Sequence, residues 1–313
     1  MRRVRSATLA VLALLVSAGA PARAYFDDVT VNARSVAMGL SSLAATSDVA
    51  AYYWNPAGLG ELGGAELLLD YGKPYGVPDL NSDAVAVGLR AYGTGFAVAW
   101  HRLGIANAYA EDLYHLAAGR SFLLPAAGHR LAGGATLKVG RISFEPFGDP
   151  ETGRSVDYGD QTRLSLDLGL RWTTPWKVDF AWVGRDLLRP NYEFIEGTGG
   201  GSVPLRHQVA AAYRWNREST LTAGWSQVDA RGRTNFDLGL EIWFYDVFAI
   251  RSGFTNAAKI YEATGSPTDF QFTGGFGIRD RGWNIDAAAL TNRYLGASYR
   301  VSFRTGWPFG GRK

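Results

Sequence analysis

Apolar and polar residues alternate along most of the chain from about residue 65 onward. In the stretch 164–172, Leu164, Leu166, Leu168, Leu170 and Trp172 are apolar, with Ser165, Asp167, Gly169 and Arg171 between them. Successive side chains of a strand point to opposite faces, so one face is greasy and the other polar. The alternation recurs between turn residues and predicts fourteen strands, at 65–71, 84–91, 95–103, 112–122, 130–144, 162–173, 177–185, 205–214, 219–227, 235–244, 247–255, 269–279, 282–291 and 294–307. Many short strands, each with one apolar and one charged face, describe a barrel with lipid outside and water inside.

The alternation also assigns faces. Trp176, Val178, Phe180 and Trp182 are expected to meet lipid, with Lys177, Asp179 and Arg185 in the lumen. Phe236, Leu238, Leu240 and Ile242 face out, with Asp237 and Glu241 facing in. Phe270, Phe272, Phe276 and Ile278 oppose Gln271, Thr273 and Arg279, and Tyr299, Val301, Phe303, Thr305 and Trp307 oppose Arg300 and Arg304. A basic side chain on the lipid face costs about 2–4 kcal/mol at the midplane. The charges Asp167, Arg171, Asp179, Asp237, Glu241 and Arg300 are therefore placed in the lumen. Asp237 or Glu241 is expected to pair there with a neighbouring arginine.

The connections supply an orientation. From a periplasmic N-terminus, the even-to-odd turns (92–94, 123–129, 174–176, 215–218, 245–246 and 280–281) are short. The connections 72–83, 104–111, 145–161, 186–204 and 256–268 are longer and carry Gly, Pro and charge, while Asn292-Arg293 breaks the rule. Short periplasmic turns and long external loops mark outer-membrane barrels; a soluble sandwich has no reason to alternate them.

Residues 1–62 lack the two-residue period. Arg2, Arg3 and Arg5 precede a short apolar run from Ala7 to Val16, and Ala22-Arg23-Ala24 forms a cleavage site. Residues 1–24 are read as a secretory signal peptide, the apolar run being too short for a comfortable membrane anchor. Arg2, Arg3, Arg5 and Arg23 account for four of the 32 basic side chains, leaving 28 against 29 acidic ones and a net charge of −1. No basic patch for nucleic acid remains. The absence of cysteine excludes disulfides and thiol chemistry. The 10 Trp, 15 Tyr and 16 Phe fit aromatic girdles at a membrane surface, or else a large soluble β core.

Residues 25–62 are rich in Ala and Ser. Asn32 is placed to cap a helix over Ala33–Leu43, and Ser47 a second over Asp48–Tyr53, ended by Pro56 and Gly58. Ala37, Gly39, Ala44 and Ala45 are small enough to pack closely against a wall. A fourteen-stranded lumen has room for a plug. The expected organisation is a hatch over 25–62 and a barrel over 63–313, with a periplasmic arm as the alternative for 25–62.

The segment from Asn32 to Leu59 resembles the hatch of FadL-like outer-membrane proteins, most closely the PorV/PorQ branch. Ala33-Arg34, Ala37-Met38-Gly39 and the box Tyr53-Trp54-Asn55-Pro56-Ala57-Gly58-Leu59 match that branch. Asn32 and Leu40 replace its usual glycines, and only Asp48 remains of its acidic pair. Leu166-Asp167-Leu168-Gly169, Pro204-Leu205-Arg206 and Leu238-Gly239-Leu240-Glu241 continue the likeness. The resemblance implies a 14-stranded antiparallel transmembrane β-barrel with an N-terminal helical hatch in the lumen, in the bacterial outer membrane. It implies one of two tasks: handling secreted proteins beside a type IX translocon, the first expectation, or FadL-like passage of hydrophobic compounds. The expected partners are outer-membrane lipid, with secreted cargo or a translocon in the first case and hydrophobic small molecules in the second. Arg34 and Asp48 are expected to anchor the hatch to lumen groups, and Asn55 and Pro56 to fix its final turn.

Catalysis finds little support. His101, His115 and His207 lie in strands and His129 at a turn, with no G-x-S-x-G or H-E-x-x-H motif. No cofactor or metal is expected: Asp149, Glu151, Asp157 and Asp160 share a loop without cation-site spacing, and Gly199-Gly200-Gly201 lacks the Lys of a phosphate loop. The external loop 186–204 stands out for Leu187, Leu188, Tyr192, Phe194 and Ile195. These either fold back on the barrel rim or form a docking surface for a hydrophobic ligand or partner.

Overall fold

Fourteen antiparallel strands close into one barrel. The structure, a computed structural model, describes residues 26, 30–124, 128–148, 153–194, 201–216, 219–228, 233–256, 270–292 and 295–308. The signal segment 1–24, Asp149, Glu151 and Ile195 lie outside the described residues. The barrel strands are β1 (Gly64–Lys73), β2 (Leu80–Ala91), β3 (Thr94–Ile105), β4 (Tyr109–Leu123), β5 (Arg130–Phe144), β6 (Asp160–Thr173) and β7 (Val178–Arg185), followed by β8 (Arg206–Arg214), β9 (Ser219–Val228), β10 (Arg233–Phe244), β11 (Phe248–Thr255), β12 (Gln271–Asp280), β13 (Trp283–Leu290) and β14 (Ser298–Pro308). Each pairs with its sequence neighbour, and β1 closes the ring on β14 from Gly64↔Pro308 to Lys73↔Tyr299.

The wall follows the two-residue period. On β6, Leu164, Leu168, Leu170 and Trp172 are exposed, while Ser165, Asp167 and Arg171 are buried. Val98, Leu116, Leu164 and Phe272 are each more than half exposed on the outer face. A buried Leu or Phe gains about 1.5–3 kcal/mol over an exposed one, so a wall of such side chains is built to be covered by lipid. The packed core lies inside the ring, where small inward residues such as Ala84, Ala86, Ala97, Ala99 and Ala117 leave room for the N-terminal segment.

At the end carrying the chain termini, tight turns join the strands. Tyr92-Gly93 and Arg281-Gly282 have positive φ at both residues, the backbone of a two-residue hairpin turn, and Tyr245 and Asp246 also take positive φ in a three-residue connection, 245–247. Lys177 also takes a positive φ in the turn before β7 and is exposed. This corrects its placement in the lumen: the strand begins one residue later, and Lys177 Nζ reaches the Trp215 carbonyl at 3.2 Å. At the other end β1–β4 and β6 run further than the alternation indicates, whereas β14 begins at Ser298 rather than at 294, so the connection expected as Asn292-Arg293 is longer than two residues. Residues 106–108 alone join β3 to β4, so the loop expected over 104–111 is mostly strand. The connection after β5 carries a short ribbon pairing Phe147–Gly148 with Ser155–Val156.

Candidate functional site

Residues 31–62 sit within the ring, nearly all of them buried. Helix α1 (Ala33–Ala37) is shorter than the expected Ala33–Leu43. Asn32 caps it through Ser35 N, but Gly39 and Leu40 both take positive φ and end it. Helix α2 (Ala51–Trp54) starts later than expected, and Ser47 is not its cap. Ala50 stands at that position, and Asp48 Oδ1 accepts the Ala50 amide at 3.0 Å. The 3-10 turn Pro56–Glu61 follows, capped by Asn55, whose Oδ1 accepts from Ala57 N at 3.1 Å. The other end of the same amide ties hatch to wall, with Asn55 Nδ2 donating to Leu43 O at 3.2 Å and Leu170 O at 3.1 Å.

Two rows of glycine receive this segment. Gly95, Gly119, Gly134 and Gly169 are direct register partners across β3–β6. All four point inward. A Cβ on each would collide with the hatch: with Leu59 O at Gly95, Pro56 O at Gly119, Pro56 and Ala57 backbone at Gly134, and the Asn55 side chain at Gly169. Glycine in a strand interior often marks such a close backbone approach. On the far wall Gly239 and Gly253 are register partners on β10 and β11 and face Met38 and Gly39 in the same way. Beside them Thr273 Oγ1 donates to Ala37 O at 2.8 Å and accepts from Gly39 N at 3.0 Å.

The polar lumen is paired. Arg34 lays a two-pronged contact on Glu241, with Nε–Oε2 and Nη2–Oε1 both at 2.8 Å. Burial works against the Arg34 charge, yet the Glu241 carboxylate outweighs it and holds the guanidinium above its ordinary range. Glu241 also receives Arg251 at 2.7 Å, and Arg251 reaches Asp286 at 2.6 Å. Asp48 meets Arg304 at 3.5 Å. Asp179 receives Arg171 and Arg214, each at 2.7 Å, and Asp167 pairs with Lys138 at 2.7 Å. Arg300 pairs with Asp70, which also accepts the Asn32 amide at 3.2 Å. Asp237 accepts the Thr255 hydroxyl, while the arginine pairing expected of Asp237 or Glu241 falls to Glu241.

A cavity with about 40 Å³ of free volume, enough for a few waters, opens between α2 and the mouth opposite the termini. Phe26, Tyr53, Leu113, Tyr192 and Val203 form its apolar side, and His115, Lys138, Arg185 and Asp186 its polar side. The Arg185 guanidinium lies over the Tyr53 ring at 4.7 Å and donates to Trp54 O at 3.3 Å, a cation–π placement that fixes the aromatic box. Asp186 accepts from Lys138 and Ser165. Burial raises the Asp186 affinity for a proton, but the Lys138 ammonium overrides it, leaving the carboxyl below its ordinary range. Burial pushes the Tyr52 and Tyr192 phenols above theirs.

The apolar loop folds back. Tyr192 is buried, donates to Gly140 O at 3.1 Å and packs on Phe26. Phe194 meets Phe144 edge-on with ring centres 5.0 Å apart. Leu187 is half-buried, and Leu188 alone of the described members is exposed. The aromatic rings Tyr158, Phe144, Phe194 and Tyr109 continue this cluster at the mouth. Alternation places Arg185 in the lumen but does not single out Lys138, Asp70 or the glycine rows. Their inward parity was visible in sequence, but not the register that makes them neighbours.

Ser82 and His101 form a hydrogen bond of 3.1 Å inside the lumen. Arg300 also donates to Ser82, and His101 Nδ1 has no hydrogen-bond partner among the described residues. Among the described residues, no carboxylate orients His101 through Nδ1 as in a catalytic triad.

No family model matches the chain, and no curated protein matches it in sequence. Solved structures do match in fold. CymD, a monoaromatic hydrocarbon channel, superposes with a TM-score of 0.61 at 11% identity, covering 91% of this chain and 100% of its own. The toluene transporter TbuX of Ralstonia pickettii gives 0.56 at 13% identity, covering 90% and 100%. A FadL homologue of Pseudomonas aeruginosa gives 0.54 at 13% identity, covering 88% and 98%. The fold is that of a FadL-type barrel. These neighbours support the wider architecture; the PorV/PorQ branch rests on the N-terminal box.

Proposed function

We propose that the protein is an outer-membrane channel for small hydrophobic compounds, not an enzyme. The observation that carries this is the cavity at Tyr53, where aromatic rings lead from the mouth to the face of a hatch that fills the lumen. It is joined by the fold shared with CymD and TbuX. A hatch held by ion pairs blocks free diffusion, so passage requires part of it to shift. Binding at its outer face is the natural trigger, since a ligand shifts an equilibrium only by favouring one state.

Service in protein secretion, the first expectation from the N-terminal box, has that resemblance as its support. The sealed, paired lumen is compatible with it. Uptake of labelled toluene by cells producing the protein separates the two. Faster uptake than in cells lacking it, reduced severalfold by deleting 187–195 with heat-modifiable gel migration preserved, is the expected result. No uptake by a correctly assembled barrel would overturn the channel assignment and favour secretion.

A further inference from the structure

The outer wall is not uniform. At the end away from the termini, strands β1–β6 each carry one outward ionisable side chain, and the sign alternates from strand to strand. They are Lys73, Asp83, Arg102, Asp112, Arg141 and Asp160. Asp83↔Arg102, Arg102↔Asp112 and Asp112↔Arg141 are direct register partners. Each shares the parity of exposed wall residues such as Val85, Val98, Leu116, Leu137 and Leu164. On β7–β14 the outward positions among the described residues carry no Asp, Glu, Lys or Arg except Asp280, at the opposite end. The six charges thus form an arc on one side of the barrel.

Aromatic residues fix the level of the arc. Tyr71, Trp100 and Tyr114 lie two residues nearer the middle of the wall than Lys73, Arg102 and Asp112, on the same outward face. Amphipathic rings settle where lipid tails give way to headgroups. Trp100 Nε1 donates to Asp112 Oδ1 at 3.0 Å, turned toward the arc. The charges therefore stand at headgroup level, where ions are not penalised as they are at the midplane.

The cations of the arc are only partly used. Arg102 Nη1 stands 3.6 Å from Asp112, beyond hydrogen-bonding distance, with the side chain 47% exposed. Arg141 spends Nε on Asp160 at 3.0 Å and is 50% exposed. Arginine meets phosphate through two parallel N–H groups. β3 and β5 are two strand spacings apart, about 10 Å, so adjacent phosphates can be met together.

We propose that this arc is a seat for phosphate-bearing lipid of the outer leaflet. Arg102 and Arg141 receive the phosphates, Asp83 and Asp160 face the cations that accompany them, and the buried Asp112 holds Trp100 and Arg102 in place. The proposal rests on the outer-membrane placement above, not on what the lumen conducts.

Native mass spectrometry of the purified mature chain in detergent tests it. The probes are diphosphorylated lipid A, phosphatidylglycerol and an uncharged glycolipid. Retention of a phosphorylated probe about tenfold above the neutral one is expected. It should fall by a similar factor in the Arg102→Gln/Arg141→Gln double variant and by less in Arg141→Gln alone. Arg281→Gln, in a turn at the other end, should retain lipid normally. Retention of both phosphorylated probes assigns the seat to phosphate in general; retention of lipid A alone assigns it to the glycolipid. Equal retention of the neutral probe, undiminished retention by both arginine variants, or a wild-type dimer crosslinked through the arc would overturn it. Insertion into vesicles, followed by heat-modifiable migration, reports on membrane placement separately.

Discussion

Arg34 is the hatch side chain with the strongest polar tie to the wall, a two-pronged one. Its guanidinium spans from α1 to Glu241 on β10, and Glu241 is shared with Arg251. Removing Arg34 leaves Glu241 one partner and takes away two charge-assisted hydrogen bonds, a loss on the order of 2 kcal/mol. Arg34→Ala should therefore raise the leakage of small hydrophilic solutes in a liposome-swelling assay, with the barrel still heat-modifiable. Unchanged permeability would count against a plug anchored there. Arg34 is legible in the sequence through its motif and Glu241 through the alternation of β10. Their pairing is not legible there, because they are 207 positions apart and the contact depends on how a helix of five residues is aimed.

Among the elements, the strands were the most legible and the hatch helices the least. A two-residue period repeated over many turns averages out local exceptions. A four-residue helix such as α2 carries too few positions for a periodic signal, and its cap came from backbone geometry rather than Ser47. The glycine row on β3–β6 makes a sharp demand on packing. Gly119→Val would drive a side chain into the Pro56 carbonyl; overpacking of that kind costs about 1–3 kcal/mol. The expected outcome is a lower transition temperature on heated gels together with higher leakage. The folded-back loop makes a different one. Asp186 binds a proton less readily in the folded state than its ordinary value of 3.8. Its contribution is thus complete above that value and is lost as the pH falls below it. Proteolysis within 187–194 should accelerate only under acid, and Lys138→Met should abolish that pH dependence.

For the molecule as a whole, charge and grease are sorted by radius. Apart from the arc of charges at one end of β1–β6, the apolar surface faces out and the ion pairs of the wall face in, and the hatch fills what would otherwise be a water channel. This sorting was readable from the alternating stretches, including Asp167 and Arg171 among the leucines of β6. Loop lengths were less reliable, because strands project past the apolar band and hide their ends among polar residues.

The glycine row has a further consequence. Facing glycines make a weak ladder, since they add no cross-strand side-chain contact and pay the largest backbone entropy. Left empty, β3–β6 would be short of side-chain contacts along this row. With 31–62 pressed into it, the row gains its side-chain contacts from a segment that precedes every strand in the chain. The hatch thus serves as filling for that stretch of wall, supplying from within the contacts its glycines lack.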